Sequence, residues 1–286
     1  MSEWQHLISV ADLAANLEQP GWRVVDCRFD LEDPDRGRAE FAAGHVPGAV
    51  YAHLDHDLAG PVSAESGRHP LPDPAAFAAT VAGWGISNDS QVVAYDGGPG
   101  ALAARLWWML RWLGHDRVAV LDGGYAAWEA AGEPVETAFR QPAGGSFRGQ
   151  PRRGATVETA EIEARLAATP AAASPLPLVD AREPGRFAGR EEPIDPVAGH
   201  VPGALNFPFA QNLSGDGRWR PGRALAADWQ RLLGADPPRD WAVMCGSGVT
   251  ACHLALSAAV AGLPAPRLYV GSWSKWIRDP RRPTAP

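Results

Sequence analysis

Short apolar runs of strand length alternate along the chain with longer stretches that carry apolar residues at helical spacing. In the first half, the apolar runs are Val24–Asp26, Val92–Tyr95 and Val118–Leu121, and the helical spacing is found in Asp73–Trp84 and Ala101–Leu113. Strands that alternate with helices predict a mainly parallel sheet with helices on both faces. In such sheets, ligands bind beyond the carboxyl ends of the strands. The residues that follow each strand are therefore the first candidates for chemistry.

The second half has the same pattern. Its apolar runs are Leu178–Asp180, Ala242–Met244 and Arg267–Val270, and a helix is predicted over Thr250–Ala261. Short motifs also recur in the same order in both halves, about 150 residues apart, which is the size of a domain. The paired motifs are VVDCR with LVDAR, HVPGAV with HVPGAL, and LDGGYAAW with YVGSWSKW. The chain is therefore interpreted as a duplicated α/β protein.

The domain boundaries follow from the composition between the two halves. The stretch AFRQPAGGSFRGQPRRG is rich in Gly, Pro and Arg, as exposed linkers are. We predict a first domain over residues 1–138, a linker over 139–155 and a second domain over 156–286.

The composition argues against nucleic-acid and membrane partners. Of the 286 residues, 45% are hydrophobic and 21% are charged, as is ordinary for a globular protein. The net charge is −7, and the one short basic segment is Arg148–Arg153. No apolar run approaches the ~18 residues of a membrane span, and the first residues do not resemble a secretion signal. Three cysteines do not make a disulfide framework, which favours a reducing cytoplasm.

One cysteine has a setting that favours chemistry. Cys245 directly follows the strand Ala242–Met244, and the predicted helix begins at Thr250. Gly246 and Gly248 can adopt positive φ angles and bring the backbone close to a ligand. Successive N–H groups in such a loop form an anion-binding concavity, to which the helix N-terminus adds about half a positive charge. These features favour the thiolate and predict a nucleophile.

Other interpretations of this cysteine are weaker. A cysteine phosphatase needs an arginine six residues further on to bind phosphate, and that position is Ala251. A buried structural cysteine is the plain alternative. Cys252 lies two helical turns after Cys245, about 10 Å of rise and beyond disulfide reach, so a core position is expected. Cys27 is also interpreted as structural.

The first half provides an internal control. At the position of Cys245 it has Asp96, in the sequence AYDGGPGALAARL. A carboxylate cannot act as a sulfur nucleophile. The first domain is therefore predicted to be catalytically inactive.

These features together resemble the tandem-domain rhodanese family. Each half has a strand ending in D-x-R, then an HVPGA turn, then a strand–loop–helix, and the resemblance covers nearly the whole chain outside the linker and the ends. The loop CGSGVT, Cys245–Thr250, is similar to the active-site loop of 3-mercaptopyruvate sulfurtransferases. Thiosulfate sulfurtransferases usually carry basic residues there, as in CRKGVT.

The resemblance implies a sulfurtransferase in which Cys245 accepts a sulfur atom as a persulfide and passes it to a thiol or to cyanide. Backbone N–H groups of the loop, from Gly246 through Gly248 and Val249 to Thr250, would hold the persulfide and the developing charge. Neither a metal nor an organic cofactor is expected.

The resemblance also implies residues that bind the donor. Arg186 matches a family arginine that contacts the donor's carboxylate or sulfonate. A second family arginine, in an E-P-x-P-R segment, has no counterpart here, because this chain reads EEPIDPVAGH with Ile194 near that position. Arg190 is another candidate for this contact.

In the mercaptopyruvate type, the serine of the loop is linked to a histidine and an aspartate. The matching residues here are Ser247, His69 and Asp57. Such a relay would help to protonate the enolate of departing pyruvate.

The sequence therefore predicts 3-mercaptopyruvate as the donor, with thiosulfate as the first alternative. A small dianion requires positive charge near the loop, and the loop's own side chains are neutral. A persulfide carrier or a regulatory binding module is the alternative from another class. The expected partners are a small anionic sulfur donor and a thiol acceptor such as thioredoxin or glutathione, and two joined domains are compatible with a monomer.

Overall fold

The chain forms two compact units. The structure, a computed structural model, describes residues 4–167 and 176–286. Within these residues the first unit takes in the chain to Gly60, Leu71–Arg152 and Leu213–Trp219, and the second takes in Pro61–Pro70, Arg153–Asn212 and Arg220–Pro286. The segment Pro61–Pro70 thus packs with the second unit although it precedes most of the first unit in sequence.

The first unit is built on a parallel sheet whose strand order is β1-β5-β4-β2-β3. Its strands are β1 Leu7–Ile8, β2 Trp22–Asp26, β3 Val50–Tyr51, β4 Gln91–Tyr95 and β5 Val118–Leu121. Its helices are α1 Val10–Asn16, α2 Arg36–Ala43, α3 Pro74–Gly83, α4 Ala103–Trp112 and α5 Gly124–Ala130. Every residue of β4 and β5 is buried, which explains their continuous apolar runs.

The second unit has a parallel sheet with the order β7-β6-β8-β9. The strands are β6 Leu178–Asp180, β7 Leu205–Asn206, β8 Ala242–Met244 and β9 Arg267–Leu268. The helices are α6 Thr159–Ala167, α7 Pro184–Phe187, α8 Gly222–Leu233, α9 Thr250–Val260 and α10 Ser272–Trp276, with a short 3-10 helix at Phe209–Asn212. The predicted α/β class with parallel sheets is confirmed.

Local chemistry explains where the predicted helices begin. Asp73 precedes α3, and its carboxylate accepts hydrogen bonds from the N–H groups of Ala75 and Ala76, with Pro74 in the first turn. Helix α9 differs, because all its residues from Ala251 to Ala258 are buried. Such a helix lies in the core and has no polar face.

The segment predicted as an exposed linker lies along the first unit for most of its length. The Gly145 N–H donates to the Ala82 carbonyl at 2.7 Å, and the Arg152 N–H donates to the Trp112 carbonyl at 2.8 Å. Phe147 is buried. The segment therefore contributes to the first unit up to Arg152.

Each unit has its own apolar core. In the first, Trp128 is fully buried among residues of β1, β4 and β5. In the second, Trp273 and Trp276 are fully buried against β6 and β8. Among the described residues, no helix is long and apolar enough to cross a membrane.

Candidate active site

Cys245 stands at the carboxyl end of β8, the position at which parallel sheets place their ligands. Its side chain is 2% exposed. The Gly248 N–H donates a hydrogen bond to Sγ at 3.1 Å, and the Cys245 N–H donates to Ser272 Oγ at 3.1 Å. The sulfur therefore faces a backbone donor from its own loop.

The shape of the loop depends on Gly248. Its φ is +81°, and a Cβ there would lie 2.5 Å from the Val270 carbonyl oxygen. Val249 is buried, and Thr250 is the first residue of α9, as predicted. Only glycine fits position 248, so the loop can turn back over the sulfur.

Ser272 supports the loop and was missed by the sequence analysis. Its φ is 52°, and among the described residues it is the one residue other than glycine with positive φ. Its hydroxyl accepts from the Cys245 N–H and donates to the Tyr269 carbonyl at 2.8 Å. The motif alignment contained the signal, because the matching residue of the first half is Gly124, which has φ +58°.

The structure brings two of the three predicted relay residues together. His69 Nδ1 and Ser247 Oγ lie 2.8 Å apart, and both side chains are buried. His69 belongs to the segment Pro61–Pro70 and hence to the second unit. Asp57 belongs to the first unit, where its carboxylate accepts from the His53 N–H at 2.7 Å. Its place in the relay stays a prediction.

Arg186 lies beside the loop, held by acidic side chains. Its guanidinium donates to Glu192 through Nε at 3.0 Å and Nη2 at 2.6 Å, and Nη2 also lies 3.2 Å from Asp195 Oδ2. A Cβ built on Gly246 would lie 3.6 Å from Arg186 Nη2. The predicted donor-binding arginine therefore reaches the residue after Cys245.

Arg68 lies on the same side of the loop and was not predicted. Its Nη2 would be 3.0 Å from a Cβ on Gly246, and its Nη1 donates to Asp195. The loop's own side chains are neutral, as the sequence indicates, but the guanidinium groups of Arg68 and Arg186 both approach it. The sequence separation of Arg68 from the loop concealed this charge, although it is adjacent to the predicted His69.

The two acids beside these arginines have opposite pKa shifts. Burial raises the pKa of Asp195, despite the charge and hydrogen bond of Arg68. Burial also acts to raise the pKa of Glu192, but the hydrogen bonds from Arg186 and from the Asp195 N–H outweigh it, so the pKa lies below its usual value.

The other two cysteines have different surroundings. Cys252 is fully buried in α9, and its thiol donates to the Gly248 carbonyl at 3.3 Å. Cys27 is buried, and burial together with the charge of Asp26 raises the pKa of its thiol well above the ordinary value. Both observations agree with structural roles.

The corresponding loop of the first unit holds a carboxylate. Asp96 Oδ1 accepts from the N–H groups of Gly98 and Gly100 at 3.0 and 2.9 Å. Oδ2 accepts from the N–H groups of Leu102 and Ala103 at 2.9 and 3.3 Å. This loop can bind an anion, and its own side chain is that anion. In the described parts of the chain, no cluster of three or more His, Cys, Asp or Glu side chains is placed to hold a metal ion.

Comparison with known proteins agrees with this architecture. The family model described as "Rhodanese-like domain" matches residues 9–131 and 158–279. A Pseudomonas aeruginosa protein named "Probable 3-mercaptopyruvate sulfurtransferase" is 49% identical over 281 residues, which are 98% of this chain and 97% of that protein. The bovine thiosulfate sulfurtransferase is 34% identical over 265 residues, covering 90% of this chain and 86% of that protein.

A solved structure agrees at the level of the fold. The 3-mercaptopyruvate sulfurtransferase from Leishmania major matches with a TM-score of 0.83 and 31% identity, over 96% of this chain and 76% of that one. Two α/β units, each with a parallel sheet and one with a cysteine at the end of its strand β8, define a tandem-domain sulfurtransferase architecture. The chain belongs to the rhodanese family, as predicted, and the predicted sulfurtransferase class is confirmed.

Proposed function

We propose that the protein transfers a sulfur atom from 3-mercaptopyruvate, with Cys245 as the nucleophile and carrier. The observation that carries this proposal is the distance of 2.8 Å between His69 Nδ1 and Ser247 Oγ. Ser247 is two residues after the thiol-bearing Cys245. Thiosulfate leaves as sulfite and requires no proton at carbon, whereas pyruvate leaves as an enolate that must be protonated. A hydroxyl in contact with a histidine suits the second case.

The chemical steps follow from the thiolate. The Cys245 thiolate attacks the donor sulfur, an S–S bond forms, and the C–S bond breaks with its electron pair moving to carbon. The proton of the donor's thiol group passes through Ser247 and His69 to C3 of the enolate, which leaves as pyruvate, and the persulfide remains on Cys245 as its anion. An acceptor thiolate or cyanide then attacks the outer sulfur of the persulfide, and the Cys245 thiolate is regenerated. The two half-reactions predict ping-pong kinetics.

The loop would stabilise the sulfur through its backbone. The Gly248 N–H already donates to Sγ at 3.1 Å, and α9 begins at Thr250, so the helix N-terminus is close to the sulfur. Gly246 and Val249 complete the loop. These groups would hold both the thiolate and the persulfide without reorganisation.

Thiosulfate is the second candidate donor. The guanidinium groups of Arg68 and Arg186 near Gly246 favour it, because they supply the positive charge that a small dianion requires. Arg68 is paired with Asp195, and Arg186 is paired with both Glu192 and Asp195, so the local charge is largely balanced. This balance favours a monocarboxylate over a dianion.

The remaining assignments belong to the same proposal. The first domain, with Asp96 in place of the nucleophile, would serve a structural role. The physiological acceptor would be a small thiol or a protein thiol, such as glutathione or thioredoxin, and the protein would act as a monomer. Three free cysteines are compatible with the reducing cytoplasm.

The test measures thiocyanate formed from cyanide with each donor, for the wild type, Cys245→Ser and the matched control Cys27→Ala. We expect loss of activity in Cys245→Ser alone. In Ser247→Ala, pyruvate release from 3-mercaptopyruvate should fall while transfer from thiosulfate persists. Activity that survives in Cys245→Ser would overturn the mechanism. A wild type that binds sulfur without turnover would favour the persulfide carrier.

A further inference from the structure

Helix α10 holds the loop of Cys245 through its first residues. The Trp273 N–H donates to the Cys245 carbonyl at 3.0 Å, and the Ser274 N–H donates to the Gly246 carbonyl at 2.9 Å. Gly246 directly precedes Ser247, the serine of the candidate relay. The backbone of Ser274 therefore fixes the chain next to that serine.

The side chain of Ser274 holds a second segment. Its Oγ accepts a hydrogen bond from the Arg68 N–H at 3.1 Å and donates one to the Gly271 carbonyl at 3.2 Å. Ser274 is 6% exposed, so few water molecules could replace the Arg68 N–H. Arg68 directly precedes His69, the histidine of the relay. One serine thus contacts the residues that precede both His69 and Ser247.

Gly67 allows the two segments to approach each other. A Cβ on Gly67 would lie 2.5 Å from the Gly271 carbonyl oxygen and 2.9 Å from Ser274 Oγ. Both distances are shorter than real Cβ contacts, so a side chain at this position would push the segment Pro61–Pro70 away from α10. The hydrogen bond between Arg68 and Ser274 therefore depends on the glycine that precedes Arg68.

The first unit has the backbone contact of Ser274 without its hydroxyl. In the paired motifs LDGGYAAW and YVGSWSKW, the residue that matches Ser274 is Ala126. The Ala126 N–H donates to the Gly97 carbonyl at 3.2 Å, as the Ser274 N–H donates to the Gly246 carbonyl. Because the first loop is held without a hydroxyl, the hydroxyl of Ser274 has a separate role.

We infer that Ser274 is a positioning residue, which holds His69 at the distance from Ser247 that the proton relay requires. The inference rests on the proposed function. His69 Nδ1 and Ser247 Oγ lie 2.8 Å apart, and each residue follows one that Ser274 binds. A proton passes between two groups only when they lie within hydrogen-bond reach. Ser274 would set this reach through the backbone of Arg68 and Gly246.

Ser274→Ala tests the inference through the two donors, and it gives position 274 the side chain of Ala126. With 3-mercaptopyruvate, kcat for pyruvate release should fall about fivefold, the size of one hydrogen bond. With thiosulfate, which needs no proton at carbon, kcat for thiocyanate formation should keep most of its value. An equal fall with both donors would show a merely structural role and overturn the inference.

The matched control is Ser66→Ala, which removes a hydroxyl from the same segment. Among the described residues, the Ser66 hydroxyl bonds within that segment, to Ser63 and Gly67. Its kcat with each donor should equal that of the wild type. Ser274→Thr keeps a hydroxyl and should restore pyruvate release.

Gly67→Ala is the second variant, and it serves if Ser274→Ala does not fold. It keeps the Ser274 hydroxyl and the Arg68 N–H, but its Cβ would separate them. Pyruvate release should fall as in Ser274→Ala, while sulfur transfer from thiosulfate persists.

Chemical modification of His69 provides a measurement that needs no sulfur donor. Diethyl pyrocarbonate acylates accessible neutral imidazole nitrogens, and mass spectrometry of the peptides gives the rate at each histidine. His69 is 5% exposed, whereas His56 is exposed and serves as the internal reference. In Ser274→Ala the ratio of the His69 rate to the His56 rate should rise about fivefold, because the segment opens more often.

The two measurements separate the inference from the proposed function. The inference requires both a selective fall in pyruvate release and a rise in the modification ratio. The absence of either change in an enzyme that uses 3-mercaptopyruvate would overturn the role of Ser274 and leave the proposed function standing. If 3-mercaptopyruvate is not a donor, the proposed function fails, and the modification ratio still decides whether Ser274 holds His69.

Discussion

The loops that follow β4 and β8 are held by the same backbone hydrogen bond, but one carries a carboxylate and the other a thiol. In the first, the Tyr125 N–H donates to the Asp96 carbonyl at 2.8 Å, and in the second the Trp273 N–H donates to the Cys245 carbonyl at 3.0 Å. The first loop directs four N–H groups at its own carboxylate. In the second loop, the Gly248 N–H donates to the thiol sulfur of Cys245. The two loops thus share a backbone hydrogen bond and carry different side chains at the same position.

The parts that the two units share are structural. Arg28 donates to Asp26 and to the Gly44 carbonyl, and Arg182 donates likewise to Asp180 and to the Gly199 carbonyl. All four charged side chains are buried. Because the half with Asp96 in place of the cysteine retains these pairs, we expect them to stabilise the end of the sheet and to take no part in the chemistry.

The histidines of the HVPGA turns show the same rule. His45 stacks on Phe41 with 3.9 Å between the ring centroids, and His200 stacks on Phe187 with 3.8 Å between them. In each pair, Nδ1 lies within hydrogen-bond distance of the carbonyl of the stacked phenylalanine. Features present in both units support the fold, and features that differ between them indicate the site.

The largest effect is expected when the second loop is made like the first. Cys245→Asp should reduce sulfur transfer at least about 10⁴-fold, since a carboxylate cannot carry a persulfide. The protein should remain folded, because Asp96 shows that such a loop accommodates a carboxylate. Thiocyanate formation and circular dichroism measure the two outcomes. Unfolding of the variant would show that the two loops are not equivalent.

Removing the carboxylate from the first loop should have the next largest effect. Asp96→Ala leaves four N–H groups without their acceptor, and we expect a loss of about 3 kcal/mol in the free energy of unfolding. Urea denaturation measures it, with Asp89→Ala, an exposed aspartate of the same unit, as the control. Equal stability of the two variants would contradict the view that Asp96 serves as a built-in anion.

The strands and the position of the loop could largely be predicted from the sequence. The charged side chains that surround the loop could not. The strand Ala242–Met244 has the predicted bounds, and all three of its residues are buried. The repeated motifs located the loop and its counterpart in the first half. In contrast, Arg68 reaches Gly246 only because Pro61–Pro70 packs with the second unit. Local periodicity carries no information on such a long-range approach, so the sequence did not predict a second guanidinium group beside this neutral loop.

Ser272 offers a smaller test of the same comparison, since its counterpart is Gly124. Ser272→Ala keeps the unfavourable positive φ and loses the hydroxyl, whereas Ser272→Gly loses the hydroxyl and relieves the backbone. We expect the glycine variant to be more stable than the alanine variant by about 1 kcal/mol. Thermal unfolding of the two variants, compared with the wild type, measures this difference. The reverse order of stability would mean that position 272 is not strained.

The smallest expected effect concerns pH, because the second unit adds Glu192 beside Arg182 and Arg186. Hydrogen bonds outweigh burial and lower the pKa of Glu192 below its ordinary 4.5. Its contribution to stability is present above that ordinary value and is lost as the pH falls through the lower pKa of the folded chain. Glu192→Gln should therefore flatten the slope of unfolding free energy against pH in this acid range, by at most one proton. Urea denaturation midpoints between pH 5 and 3 measure this slope, and Glu183→Gln, a change at an exposed glutamate, is the control. Identical slopes in the two variants would show that Glu192 does not contribute to the pH dependence of stability.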